Sequence, residues 1–110
     1  MNKGEIWLST IPSSEGHEQS GTRLNIIVAT HNTGITTIIP LTSNQLAKRF
    51  SNTILIKKTI KNNLEKDSIA LIFQIKSLDK SRFTKKIGNL EENDKKTIDK
   101  EILNYLKYKN

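Results

Sequence analysis

The sequence predicts a small α+β domain, mainly β, in which a strongly bent antiparallel sheet is closed by one C-terminal helix. Short runs rich in Ile, Leu, Val and Thr recur at close spacing as far as Leu78, which is typical of antiparallel strands. Apolar residues take up helical spacing only after Glu92, where charged residues separate them. Strands that come first and a helix that comes last favour an α+β arrangement.

Five of these runs are predicted to be strands: Glu5 to Ile11, Arg23 to Thr30, Ile35 to Thr42, Thr53 to Lys58 and Ser68 to Leu78. Pro40 cannot donate to a ladder, so the third strand is either an edge at that point or bulged. The stretch from Asn44 to Phe50 is compatible with a helical turn. The final helix is predicted to begin near Asn89 or Asn93, with Ile98, Ile102, Tyr105 and Leu106 on its apolar face.

Length and charge limit the architecture and the partners. The 110 residues, 35% of them hydrophobic, predict one domain over 1–110 without repeats or linkers. Roughly two-thirds of the unfolded surface is buried at this size, so the core is modest and a dimer would help it. Lys and Arg total 18 against 11 Asp and Glu, a net charge of +7. A polyanion or an acidic protein is therefore the expected partner.

The composition also argues against several classes of protein. The absence of cysteine excludes disulfides, thiolate metal sites and thiol nucleophiles, and it fits a reducing cytosol. The N-terminus does not have the pattern of a secretion signal, and no run approaches the ~20 apolar residues of a membrane span. With two histidines and no cluster at ligand-like spacing, we expect no metal and no cofactor. The sequence predicts a cytoplasmic protein with no membrane partner.

The most informative segment lies between the first two predicted strands. It reads Gly16-His17-Glu18-Gln19-Ser20-Gly21-Thr22-Arg23 and crowds together groups that handle protons or phosphate. Its two glycines permit backbone conformations closed to other residues, so the loop is able to bring His17, Glu18 and Arg23 to one point. A second segment, Ile38-Ile39-Pro40-Leu41-Thr42-Ser43, is an apolar run that ends in two hydroxyls.

Together these segments resemble the MazF/PemK family of bacterial toxins. The family begins with a G-[DE]-[IV]-[WY] strand, here Gly4-Glu5-Ile6-Trp7, and continues with G-x-E-Q-x-G-x-R-P. Three later matches, from Asp67 to Leu71, from Gln74 to Ser77 and from Asp79 to Leu90, follow in family order. The resemblance runs from Gly4 to Leu106. Two departures put substrate preference in question: Leu24 replaces the usual Pro, and the stretch from Thr30 to Thr36 is short.

The resemblance implies a fold, an activity and partners. The fold is an SH3-like barrel that forms a homodimer, with the substrate groove along the interface. The activity is metal-independent, sequence-specific cleavage of single-stranded mRNA, in which the 2′-hydroxyl of the substrate is the nucleophile. DNA of the same sequence is expected to bind at most and not to be cut. The implied protein partner is a cognate antitoxin with a disordered, acidic tail.

The resemblance also assigns residues to the site. Arg23 matches the catalytic arginine, whose planar, permanently charged guanidinium suits a phosphate. Thr42 matches the catalytic threonine, and Ser43 is the alternative hydroxyl if the register is shifted by one. Glu18 is the motif acid, and either Glu18 or His17 is able to move the protons if its pKa lies near neutrality.

Further residues are predicted to bind substrate. Gln19 and His17 belong to the motif loop, where His17 is either a solvated loop residue or a contact to a phosphate or a base, and Ser43 follows Thr42. Gln74 and Lys76 lie two apart in a predicted strand and therefore share a face, where they would contact a base edge and a phosphate; a plain solvated strand face is the alternative. His31 is interpreted as a turn residue.

Two other functions remain open from the sequence. A gyrase-poisoning toxin of the CcdB type shares the implied fold, but it would not need Arg23 and Thr42 in their motifs. A non-catalytic nucleic-acid-binding barrel is permitted by the charge alone.

Overall fold

The computed structural model describes residues 1–11 and 21–107, and within them seven strands form one antiparallel sheet. The strands are Glu5–Ile11 (β1), Gly21–Thr30 (β2), Ile35–Thr42 (β3), Thr53–Ile56 (β4), Ser68–Leu71 (β5), Lys76–Asp79 (β6) and Phe83–Asn89 (β7). The helix Glu92–Leu106 (α1) follows them, and 3₁₀ turns occupy Gln45–Arg49, Ile72–Gln74 and Lys80–Arg82. The predicted α+β, mainly β architecture with a C-terminal helix is confirmed.

Strand β3 has two successive partners on one side, and this divides the sheet. The strand order is β4-β5-β3-β2-β1-β7, and β6 also pairs with β3. Residues 35–38 of β3 pair with β6, whereas Leu41 and Thr42 pair with β5. Pro40 falls in the gap between these two pairings, where β3 has no ladder partner on that side. A residue without an N–H is tolerated at such a local edge.

The core lies between the sheet and α1 and consists mainly of isoleucine. Ile6, Ile26 and Ile39 come from the three central strands, and Ile98 contributes the helix contact. Helix α1 begins at Glu92, after Glu91, whose side chain forms no capping hydrogen bond. The predicted start near Asn93 is confirmed to within one residue, whereas the alternative, Asn89, is the last residue of β7. Within the described ranges, no helix is long and apolar enough to span a membrane.

The predicted strand from Ser68 to Leu78 is wrong as a single element. It consists of β5, the 3₁₀ turn Ile72–Gln74 and β6. Its first half is a continuous apolar run, which carries no signal for a break. A contact with α1 stabilises the turn instead, because Tyr105 Oη donates to the Phe73 carbonyl oxygen at 3.2 Å. Gln74 and Lys76 therefore do not share one strand face, and this prediction is corrected.

Glu5 ties β1 to β7. Trp7 Nε1 donates to Glu5 Oε1 at 2.8 Å, and Lys86 Nζ lies 3.3 Å from Glu5 Oε2. Burial raises the pKa of Glu5, but these hydrogen bonds and the Lys86 charge hold it below its ordinary value overall. Because the pKa is lowered in the folded state, the contribution to stability is present above the unfolded pKa and is lost as the pH falls through the folded pKa.

The lysine-rich segment from Lys57 to Lys66 is an ordered loop held by Asn62. The Asn62 side chain is fully buried, accepts hydrogen bonds from the backbone N–H groups of Thr59 and Leu64 and donates to the Lys57 carbonyl. The loop backbone also lies directly against Gly88 of β7. A Cβ at Gly88 would be 2.6 Å from the Asn62 carbonyl carbon and 2.8 Å from the Lys61 carbonyl oxygen.

We therefore expect Gly88→Ala to destabilise the protein by about 2 kcal/mol, because backbone cannot move aside as a flexible side chain would. In a domain of this size the melting temperature falls by roughly 8–16 °C. The matched control is Gly34→Asn, where nothing lies within 4 Å of the added Cβ and Asn tolerates the left-handed backbone. Equal melting temperatures for the two variants in thermal unfolding would contradict the contact between this loop and β7.

Candidate active site

A cleft of about 1020 Å³ opens where β2 begins and β3 ends. It is lined by residues of β1, β2 and β3, by the segment 63–66, and by residues of β5, β6 and β7. Its polar and charged lining residues include Thr22, Arg23, Asn25, Thr42, Ser43, Glu65, Lys66, Gln74, Lys76 and Lys85.

The sheet register brings Arg23 and Thr42 together. Leu24 of β2 pairs with Leu41 of β3 in an antiparallel ladder, so one further step places Arg23 opposite Thr42. Directly opposite residues on antiparallel strands have Cβ atoms roughly 4.5–5.5 Å apart. Both residues line the cleft. Ser43 also lines it, but it lies one step beyond the position opposite Arg23.

The Thr42 hydroxyl is oriented by the turn that follows β3. Thr42 Oγ1 accepts a hydrogen bond from the Asn44 backbone N–H at 3.2 Å. A hydroxyl has one donor and two acceptor sites, so this bond uses an acceptor site and leaves the O–H as a donor for a ligand. The turn is fixed in its own right, because Asn44 Oδ1 accepts from Leu46 N at 3.0 Å.

A buried polar pair, Ser9 and Asn25, fixes the backbone of Arg23 through a hydrogen bond. Asn25 Nδ2 donates to Ser9 Oγ at 2.6 Å and to the Arg23 carbonyl oxygen at 3.2 Å. Both side chains are almost fully buried, with 2% of Asn25 and 0% of Ser9 exposed. The Arg23 side chain is exposed, and its Nη1 donates to the Thr22 carbonyl at 3.2 Å. A rigid backbone and an exposed guanidinium are what a phosphate-binding arginine requires.

Gln74 and Lys76 reach the cleft from different elements. Gln74 ends a 3₁₀ turn and Lys76 begins β6, yet both line the cavity. Both therefore lie in the same cleft as Arg23 and Thr42, and their roles stay predictions. His17, Glu18 and Gln19 lie outside the described residues, so their roles stay predictions. His31 lies in the turn between β2 and β3, where its Nδ1 is 2.9 Å from Thr33 Oγ1.

Sequence reasoning missed Asn25, Lys66 and Lys85. The sequence signal for Asn25 is a lone amide within the apolar run of β2. For Lys85 it is the alternation along β7, where Lys86 pairs with Glu5 and Lys85 faces the cleft beside its cross-strand partner Leu8. We did not predict β7 as a strand, because its sequence contains two lysines, a glycine and an asparagine, residues that are depleted in strands.

The cleft is rich in positive charge. Among its described lining residues, Arg23, Lys66, Lys76 and Lys85 are cations and Glu65 is the one carboxylate. A concave surface lined by charges of one sign concentrates ligands of the opposite sign. Within 1–11 and 21–107, no group of three or more His, Cys, Asp or Glu side chains has an arrangement that could hold a metal ion.

The profile of a family described as "PemK-like, MazF-like toxin of type II toxin-antitoxin system" matches residues 2–106. The chain belongs to this family. It is 28% identical over 106 residues to the Endoribonuclease MazF of Staphylococcus saprophyticus, a match that covers 93% of this chain and 88% of the relative. The resemblance to MazF/PemK toxins found in the sequence is confirmed.

Solved structures support the MazF/PemK fold. A MazE–MazF structure from Deinococcus radiodurans superposes with a TM-score of 0.78 at 19% identity and covers 96% of this chain and 95% of its own. An endoribonuclease in complex with its cognate antitoxin from a mycobacterial species gives a TM-score of 0.72 at 12% identity, with 97% of each chain covered. At these identities the likeness concerns the fold.

Proposed function

We propose that this toxin is a metal-independent, sequence-specific endoribonuclease that cleaves single-stranded mRNA. The observation that carries the proposal is the placement of Arg23 opposite Thr42 at the end of the β2–β3 ladder, in a cleft with four cations and one carboxylate among its described residues. A guanidinium, a hydroxyl donor and a basic channel are the groups that an RNA phosphate needs in order to bind and react.

The nucleophile in this proposal is the 2′-hydroxyl of the nucleotide on the 5′ side of the cut. Its oxygen bonds to phosphorus and the bond from phosphorus to the 5′-oxygen breaks, which gives a 2′,3′-cyclic phosphate and a 5′-hydroxyl. The proton of the 2′-hydroxyl passes to a base, and the leaving 5′-oxygen takes up a proton. These proton transfers are assigned to Glu18, which stands at a motif position, or to its neighbour His17.

Arg23 and Thr42 act on the charge of the phosphoryl group. Negative charge builds on the non-bridging oxygens as the pentacoordinate transition state forms. The Arg23 guanidinium stabilises that charge with a fork of donors, and the Thr42 O–H donates to one of the oxygens. Gln74, Ser43 and Lys76 line the remainder of the cleft and are proposed to contact bases and phosphates along the strand.

The proposed partners follow from charge and from exposed apolar surface. A net charge of +7 suits an antitoxin with a disordered acidic tail, and an antitoxin is part of the complexes to which this fold is similar. Leu103 and Leu106 of α1 are more than half exposed, which supports a homodimer. We place the chain in the cytoplasm as a single domain over 1–110.

Thr42→Val tests the proposal, because it removes the hydroxyl and retains the shape and strand preference of the side chain. The wild type is expected to cut a defined single-stranded transcript, and Thr42→Val to lower kcat by about 10²–10³-fold, the loss typical of one oxyanion donor. The comparison variant Ser43→Ala removes the neighbouring hydroxyl, which is proposed to contact the substrate but not the reacting phosphate, so its kcat is expected to stay within about threefold of the wild type and any loss to fall on KM. If Ser43→Ala carries the loss instead, Thr42 is not the donor; a wild type that binds RNA without cutting it would contradict the proposed activity.

A further inference from the structure

A second, smaller pocket opens from the side of the cleft next to Thr42. It has a volume of about 240 Å³ and lies between the 3₁₀ turn Gln45–Arg49 and the turn that contains Phe73. Thr42, Leu71 and Gln74 line both the pocket and the cleft. The side pocket therefore adjoins the proposed RNA site at Thr42, the residue whose hydroxyl is proposed to act on the phosphate.

An aromatic ring and a guanidinium form its outer wall. Phe50 is 46% exposed, and the Arg49 Cζ atom lies 4.9 Å from the centroid of the Phe50 ring. The rings of Phe50 and Phe73 are 5.7 Å apart between centroids and tilted by 58°. The Phe73 backbone is in turn held by Tyr105. Two aromatic rings and a stacked arginine are thus presented on a fixed framework at the surface.

The charge of the side pocket favours an anionic ligand. Arg49 lines it, Lys48 is adjacent in the last turn of the 3₁₀ helix, and its described lining residues include no carboxylate. Flat bases stack on aromatic rings and on guanidinium planes. The volume is below the roughly 300–1,000 Å³ of pockets that hold drug-sized ligands, so it suits one base better than a longer apolar segment of a peptide.

We infer that the side pocket is a nucleobase subsite. It binds the base of a nucleotide that flanks the scissile phosphate, with the base stacked against the wall formed by Arg49 and Phe50 and a neighbouring phosphate near Arg49. Gln74 lies at the boundary with the cleft, where its amide is able to donate to and accept from a base edge. The inference rests on the proposed function and adds a specificity-determining contact to it.

Binding measurements on a non-cleavable RNA separate this inference from the proposed function. The probe is a short RNA with a 2′-deoxy nucleotide on the 5′ side of the mapped cut, titrated against wild type, Phe50→Ala and the control Ile60→Ala. Ile60 is fully exposed and lines neither the cleft nor the side pocket. Phe50→Ala is expected to weaken binding by about 10- to 100-fold, the range for loss of one base–aromatic stack, whereas Ile60→Ala leaves the affinity within about twofold.

A series of abasic probes identifies the bound base. Removing one flanking base should weaken wild-type binding by the same factor as Phe50→Ala, and the Phe50→Ala protein should not respond to that removal, because the two changes abolish one contact. On a cleavable RNA, the KM of Phe50→Ala should be higher than that of the wild type, while its kcat should stay within about threefold of the wild-type value. Both results together support the subsite.

Three outcomes overturn the inference. In the first, the wild type binds the probe and Phe50→Ala binds it equally well, which removes the subsite and leaves the proposed function standing. In the second, Phe50→Ala loses the dimer in sedimentation without a change in RNA affinity, which assigns the pocket to a second copy of the chain. In the third, the wild type does not bind the probe at all, and then the proposed function fails as well.

Discussion

Replacing Arg23 with Ala is expected to abolish RNA cleavage in a protein that remains folded. Arg23 occupies the register position opposite Thr42, and in the proposed mechanism its guanidinium supplies the fork of charged donors for the phosphate. Removing it should lower kcat by at least the roughly 10²–10³-fold that is typical of losing a single oxyanion donor. The loss should be larger here because the removed donor is charged. The exposed side chain contributes little to stability. The buried Ser9–Asn25 pair binds the backbone carbonyl of residue 23, and this contact remains when the residue is alanine.

Arg23→Lys is the matched control for charge. Lysine retains the positive charge but loses the planar fork, and it does not present two parallel donors to one phosphate. We expect its kcat to lie between those of the wild type and of Arg23→Ala, with RNA affinity close to that of the wild type. Thermal unfolding of all three proteins should give melting temperatures within about 3 °C. Full activity in a folded Arg23→Ala protein would remove Arg23 from the mechanism.

The sequence predicted those parts of the fold in which the local pattern and the tertiary structure agree. β1, β2 and β3 follow apolar, β-branched runs, and Glu5–Ile11 and Ile35–Thr42 have the predicted bounds. The break between β5 and β6 was not predictable in the same way. The chain turns after Leu71 because Phe73 packs on Phe50 and its carbonyl accepts from Tyr105, and neither contact is local in sequence.

In the candidate site, too, the residues predicted from sequence are those with a local motif, and the residues missed depend on contacts that are distant in sequence. Arg23 and Thr42 were identified because the motifs place them at particular positions, and the register of β2 and β3 then accounts for their proximity. The position of Lys85 in the cleft depends on the pairing of β7 with β1, and a strand that contains two lysines, a glycine and an asparagine gives a weak sequence signal for that pairing. The side pocket at Phe50 depends on two 3₁₀ turns that meet only in the folded chain, so no local pattern in the sequence predicts it.

The origin of the nucleophile is the central claim about mechanism. If the substrate supplies its own 2′-hydroxyl, the protein needs only to orient the phosphate, stabilise charge and move protons. A metal-bound water would require ligands, and the chain has no cysteine and only two histidines. Removing one oxygen atom from the substrate should therefore stop the reaction without any change to the protein.

A single 2′-deoxy substitution on the nucleotide 5′ to the mapped cut tests this claim most directly. Cleavage of the unmodified RNA by the wild type, measured with excess EDTA, is expected to proceed at its normal rate and to leave 5′-hydroxyl and 2′,3′-cyclic phosphate ends. The substituted RNA should bind with similar affinity and show no detectable cleavage, while the same substitution two nucleotides away should have little effect on the rate. Cleavage of the substituted RNA at the normal rate, or loss of all activity in EDTA, would contradict the substrate-assisted mechanism and the roles assigned to Arg23 and Thr42.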